Sequence, residues 1–160
     1  MPRALVDTTV LFAAAYRADS AHDEALPILT GIDTADLPEA VIIDYVLAET
    51  VNGLTTHAGH NAAVDFLDRV EENARFHIDS LTTDEFATAK AVFRQYERFS
   101  FVDACIVAYM QAGGPVTSRP SILSRMSSVL IQQRTRLNSN NRYSVCLLVT
   151  EMDIPLQLIE

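Results

Sequence analysis

Cysteine is nearly absent from this chain. Cys105 and Cys146 are the only two, far apart and without the spacing of a disulfide framework or a metal knuckle. That excludes the cysteine-stapled secreted class and points to a reducing, cytoplasmic setting. Long apolar runs are missing too. Val10 to Ala15 is too short and too poorly flanked for a signal peptide, and no stretch reaches the length of a membrane span, so no membrane partner is expected. There is no glycine-rich phosphate loop and no Gly-x-Ser-x-Gly elbow. Basic charge is scarce: one Lys and eleven Arg stand against 21 acids, for a net charge of −9. A protein that captures nucleic acid broadly by electrostatics needs a basic face. This composition suits instead solubility in high salt or a basic partner.

The charge is also uneven. Residues 1–111 hold 18 acids and 7 bases (−11), whereas residues 112–160 hold 3 acids and 5 bases (+2). No acid occurs between Ala104 and Thr150, and Ser and Asn become frequent after Gly114. At 160 residues, 49% of them hydrophobic, the chain can bury a core and fits one domain, over residues 1–114. Residues 115–160 read as a divergent tail of loop or disorder, with a strand at Val145 to Val149 continued by Ile154 to Ile159.

Within the first part, strand and helix signals alternate. Ala4-Leu5-Val6 reads as a short strand ending at Asp7, with Thr8 or Thr9 capping a helix through Phe12 and Tyr16. Ser20 is placed to cap the next helix, with Asp23 and Glu24 in its first turn. Leu37 to Val41 reads as a second strand, leading into a helix that carries Ile42, Tyr45, Val46, Glu49 and Leu54. Asn61 to Val70 has Ala63, Val64, Leu67 and Val70 at helical spacing, and Phe76-His77-Ile78 is a third strand. Thr83 is expected to cap a helix with Phe86, Ala89, Phe93 and Tyr96 on its core side. Ser100 is expected to cap another, from Phe101 to about Gln111, stopped by Gly113-Gly114-Pro115. Such alternation indicates an α/β fold around a parallel sheet.

Three acids sit in apolar company: Asp7 after Ala4-Leu5-Val6, Glu49 within Tyr45 to Leu54, and Asp103 within Phe99 to Ala108. Ligands in α/β folds gather at strand carboxyl ends and helix amino ends along one sheet edge. Converging carboxylates repel: ~4 Å apart, two charges cost about 1 kcal/mol in water and several at an effective dielectric of about 20. A divalent cation relieves that repulsion, and hard carboxylate oxygens select Mg²⁺ or Mn²⁺. Each acid also has a plainer role. Asp7 is placed to be a helix N-cap, Asp103 gains from a helix dipole, and Glu49 can be a solvated helix residue.

Leu5-Val6-Asp7-Thr8, Glu49-Thr50-Val51-Asn52-Gly53-Leu54 and Ser100-Phe101-Val102-Asp103-Ala104, the last followed by Ile106 to Tyr109, resemble the three signature segments of PIN domains. In order and spacing they are similar to VapC-type toxin ribonucleases, over residues 1–111. The resemblance implies a three-layer α/β/α sandwich with a parallel sheet, a homodimer, and cleavage of RNA with Mg²⁺ or Mn²⁺. It implies that Asp7, Glu49 and Asp103 are the catalytic, metal-holding acids, with Thr8 and Asn52 supporting them. A cognate antitoxin protein is the implied partner. The departure lies in the tail, where the family tends to carry an acidic loop rich in Ser, Phe and Asp. Here Val116 to Leu123 has no carboxylate. Permitted codons for Arg119 through Ile131, started at the third base of the first, encode Ser-Phe-Asp-Pro-Glu-Ser-Asp-Glu-Phe-Gly-Ala-Asp, so the tail is compatible with a frameshift. The rival reading is a catalytically impaired remnant kept as a protein-binding module. His57 and His60 read as loop histidines rather than zinc ligands, and His22 and His77 stand alone.

Overall fold

The structure, a computed structural model, describes residues 3–113. They alternate as β1 (Arg3–Leu5), α1 (Thr8–Ala15), α2 (His22–Asp33), β2 (Glu39–Ile43), α3 (Asp44–His57), α4 (His60–Glu72), β3 (Phe76–Asp79), α5 (Thr83–Gln95) and α6 (Phe101–Gln111). The strands form one parallel sheet in the order β1-β2-β3, with Leu5 opposite Val41 and Ile42 opposite Ile78. Two helices fill each crossover, and two more follow β3. The result is an α/β sandwich of helices around a parallel sheet, as the sequence implies. The tail, with the expected strands at 145–149 and 154–159, lies outside the described residues.

β2 is the centre of the sheet, and its composition shows why. Ala40, Val41, Ile42 and Ile43 are all fully buried, which requires helices over both faces of a parallel strand. Ile42 therefore belongs to the strand and not to the following helix. A short apolar run fits either element by periodicity, and what decides it is the pairing with β3. The helix starts at Asp44, whose carboxylate accepts the Tyr45 amide at 2.9 Å.

Several helix starts differ from expectation by a residue or two. At α1 the N-cap is Asp7, one of the three candidates the sequence offers, and Thr8 and Thr9 lie inside the helix. Ser20 caps nothing: α2 begins at His22 without a side-chain cap, and the turn before it is closed by Asp19 accepting the Ala21 amide at 2.8 Å. Thr82, not Thr83, caps α5, because Glu85 stands three residues beyond it and completes a reciprocal capping box. Ser100 caps α6 as expected, in a box with Asp103. α4 buries Ala63, Phe66 and Val70 and leaves Val64 exposed, so its inner face is turned from the one that the spacing of Ala63, Val64, Leu67 and Val70 implies.

His57 and His60 are not in a loop. They end α3 and begin α4 across Gly59, whose φ of +94° is the left-handed backbone that sharply breaks one helix from the next. The other two histidines have partners: His22 Nδ1 donates to the Ala13 carbonyl at 2.8 Å, and His77 Nε2 meets Glu39 at 2.7 Å. On α5, Ala89 is core but Phe93 is 44% exposed. Its ring meets the edge of Phe101, which also contacts Phe86 and Tyr45, with Lys90 over Phe86.

Candidate active site

The three acids are carried by three helix beginnings. Asp7 follows the buried end of β1 and directly precedes α1, so the strand fixes its backbone before the helix starts. Glu49 lies in the second turn of α3, which leaves the carboxyl end of β2. Asp103 is the third residue of α6. The first two therefore share the carboxyl edge of the sheet, and α6 brings the third to them.

Asp7 is only 4% exposed. Burial pushes its carboxyl up to about 7 from the ordinary value near 3.8, the Asp103 charge adds to the rise, and hydrogen bonds from Thr8 and Thr9 oppose it. One of its oxygens, Oδ1, accepts the Thr8 amide at 2.6 Å. The same residue reaches the second acid: the Thr8 hydroxyl donates to Glu49 Oε2 at 2.6 Å. Thr8 thus ties two of the carboxylates together with two different groups. Asp103 is half-buried, and its carboxyl is also raised, by burial first and by the Glu49 charge, while its bonds to Ser100 pull it down. Asp7 feels Asp103 and Asp103 feels Glu49, so the three acids form one chain of mutual repulsion.

None of them has a cationic partner among the described residues. The ion pairs there are Arg3 and His77 with Glu39, and Arg69 with Asp33, all away from these acids. A carboxylate as buried as Asp7, beside another and without a counter-charge, is costly unless protonated or neutralised by something added. The donor set is hard oxygen throughout, the chemistry of Mg²⁺ and Mn²⁺. As placed, however, no three His, Cys, Asp or Glu side chains among the described residues close tightly enough around one point to hold an ion. Local bonds explain part of this. Asp103 Oδ2 is turned back to accept the Ser100 amide at 2.8 Å, and Glu49 Oε2 is turned toward Thr8. The residues fit such an ion in chemistry and charge.

Asn52 lies one helical turn from Glu49 on α3, exposed, and its side chain bonds to none of the described residues. Two residues that sequence reasoning passed over stand behind the site. The Phe12 ring and Gly53 occupy the next level of the contact between α1 and α3, one turn past Thr8 and Glu49. The signal was the shared four-residue step, Thr8 to Phe12 and Glu49 to Gly53, which has meaning only once the two helices are known to lie side by side.

The fold agrees with that of known proteins. The chain is similar to VapC20 of Mycobacterium tuberculosis, a Sarcin-Ricin loop cleaving toxin, with 25% identity and a TM-score of 0.60. That likeness covers 69% of this chain and 82% of the toxin. Among curated proteins no sequence matches. Among protein families, residues 4–116 match the PIN domain, and that span includes all three acids. The chain belongs to the PIN domain family.

Proposed function

We propose that this protein is an endoribonuclease of a toxin–antitoxin pair, hydrolysing RNA phosphodiesters with Mg²⁺ or Mn²⁺ held by Asp7, Glu49 and Asp103. The observation that carries the proposal is Asp7: a buried carboxyl, pushed up to about 7, with Asp103 for a neighbour and no cation among the described residues to balance it. Structural acids in cores are paired; an unpaired one in a repelling group is a site waiting for positive charge. A bound divalent cation supplies polarisation of the phosphodiester and activation of the attacking water. The chain's own residues orient and tune. Thr8 fixes one oxygen of Asp7 and one of Glu49, and Ser100 fixes one oxygen of Asp103. Asn52 is positioned to support Glu49 from the exposed side of α3.

The RNA substrate follows from the family and from the likeness to a toxin that cleaves the Sarcin-Ricin loop. An antitoxin with a basic segment suits a region of net charge −11. A homodimer is favoured by the exposed Phe93 and the aromatic rings behind it. The likeness to a toxin does not favour a purely binding remnant. The family match stops at residue 116, close to Arg119, where a back-translation with suitable codons admits another frame. This supports residues 1–114 as the working domain, followed by an out-of-frame tail. The gene's nucleotide sequence checks that point, since the frame must read through without a stop.

The test is calorimetric titration of Mn²⁺ into the unmodified chain, Asp7→Asn and Asp103→Asn, followed by incubation with ribosomal RNA. Binding in the first and loss in both variants, with RNA cleavage tracking binding, is the expected result. A folded, unmodified chain that binds no Mn²⁺ would sink the proposal and leave the binding module in its place.

A further inference from the structure

α1 and α3 meet in a regular ladder. The Thr8 hydroxyl bonds Glu49, the Phe12 ring lies over Gly53, and the Tyr16 ring packs on His57, centroid to centroid 6.1 Å. Each level advances four residues on both helices, so the helices run side by side in the same direction with their i, i+4 ridges facing. The middle level has the least room. A Cβ at Gly53 would stand 3.1 Å and 3.2 Å from two carbons of the Phe12 ring, closer than ordinary contact. Two further rings flank it, Tyr16 at 5.4 Å and His57 at 5.7 Å, centroid to centroid. Gly53 is a helix-interior residue of α3 with no left-handed backbone to explain it. Alanine is the better helix former there by roughly 1 kcal/mol on intrinsic preference alone. Its presence therefore answers to the Phe12 ring.

We propose that Gly53 and Phe12 are positioning residues: their close approach sets how near α3 lies to α1, and so holds Glu49 against Thr8 beside Asp7. The inference rests on the reading of Glu49 as an acid of the site. A side chain at residue 53 pushes the helices apart at the second level, and the first level opens with it. The Thr8–Glu49 bond, 2.6 Å long, is exposed to solvent.

The experiment compares the full chain with Gly53→Val, the milder Gly53→Ala, and Gly53→Val combined with Phe12→Leu, which makes room for the new side chain. Two readouts are taken on variants that circular dichroism shows to be folded. One is the NMR shift of the Glu49 side-chain carboxyl in metal-free protein; the other is Mn²⁺ affinity by calorimetry. Gly53→Val is expected to move the Glu49 resonance toward its value in Thr8→Val and to weaken Mn²⁺ binding roughly tenfold. Adding Phe12→Leu is expected to return both most of the way, and Gly53→Ala to fall between. A Glu49 resonance unmoved by Gly53→Val, or moved but not returned by Phe12→Leu, overturns the proposal. If the unmodified chain binds no Mn²⁺ while the Glu49 resonance moves and returns as described, the ladder stands and the metal-site reading alone has failed.

Discussion

The beginnings of α1 and α6 each present an aspartate, and the two differ in burial and in how fully their helix start closes around them. Asp103 is half-buried and closed into a box: it accepts the Ser100 amide and its own amide is bonded by the Ser100 hydroxyl. Asp7 is nearly sealed from water, accepts the Thr8 amide and faces the Asp103 charge. Asp103 thus contributes to folding whether or not a cation is present. Asp7 weakens the metal-free fold whenever it is ionised. Two acids that look equivalent in the sequence both cap their helices and both sit above the usual carboxylate range; the deeper burial of Asp7 makes its charge the less favourable one, and a ligand can relieve it.

Replacing Asp7 gives the largest expected effect. Between about pH 4 and pH 7 the folded chain keeps a proton on Asp7 that the unfolded chain releases, so metal-free stability falls as pH rises through that window. Asp7→Asn retains a capping oxygen and removes the charge. In EDTA at pH 8 it is expected to stabilise the chain by on the order of 2–4 kcal/mol, with the gain vanishing toward pH 4. Urea denaturation across pH measures this, and a destabilised Asp7→Asn at pH 8 would erase the contrast with Asp103.

At Asp103 the opposite sign is expected. Asp103→Ala opens the capping box and should cost about 1 kcal/mol in the same titration, offset in part by relief of Asp7. A gain as large as that of Asp7→Asn would mean that repulsion, not capping, governs both positions. Thr82→Ala sharpens the comparison, because Thr82 and Glu85 form the same box on α5 with no candidate acid in it. It should also cost about 1 kcal/mol, while leaving Mn²⁺ affinity unchanged. Loss of Mn²⁺ binding there would show that helix capping at large, rather than Asp103 itself, sustains the site.

The smallest change is expected from Thr9→Ala. Thr9 holds the Asp7 carboxyl down through its hydroxyl as well as its backbone. Removing the hydroxyl should move the pH window of Asp7 upward by a fraction of a unit, read from the same denaturation series. A downward move would contradict the bonding described for Asp7.

Much of this was legible in the chain before any coordinates. The alternation of apolar strands with capped helices implied a parallel α/β sheet, and Ser100 three residues before Asp103 marked the start of α6. The strands were found within a residue or two because fully buried runs such as Ala40 to Ile43 stand out by composition. Their limits were less legible, since Ile42 fits helix and strand equally until β3 pairs with it. Caps at Thr82 and Thr83 differ only by whether Glu85 reaches back.

The sequence by itself determined the fold class and singled out three candidate acids in their order, because periodicity, capping spacing and signature segments are local properties of a chain. Tertiary structure alone decided which acid is buried, which is satisfied and what holds them near one another. Burial of Asp7, the Thr8–Glu49 bond and the Phe12–Gly53 contact each join residues from elements remote in sequence. Desolvation and repulsion depend on distance in space, and only the packing of α1, α3 and α6 at the sheet edge sets those distances.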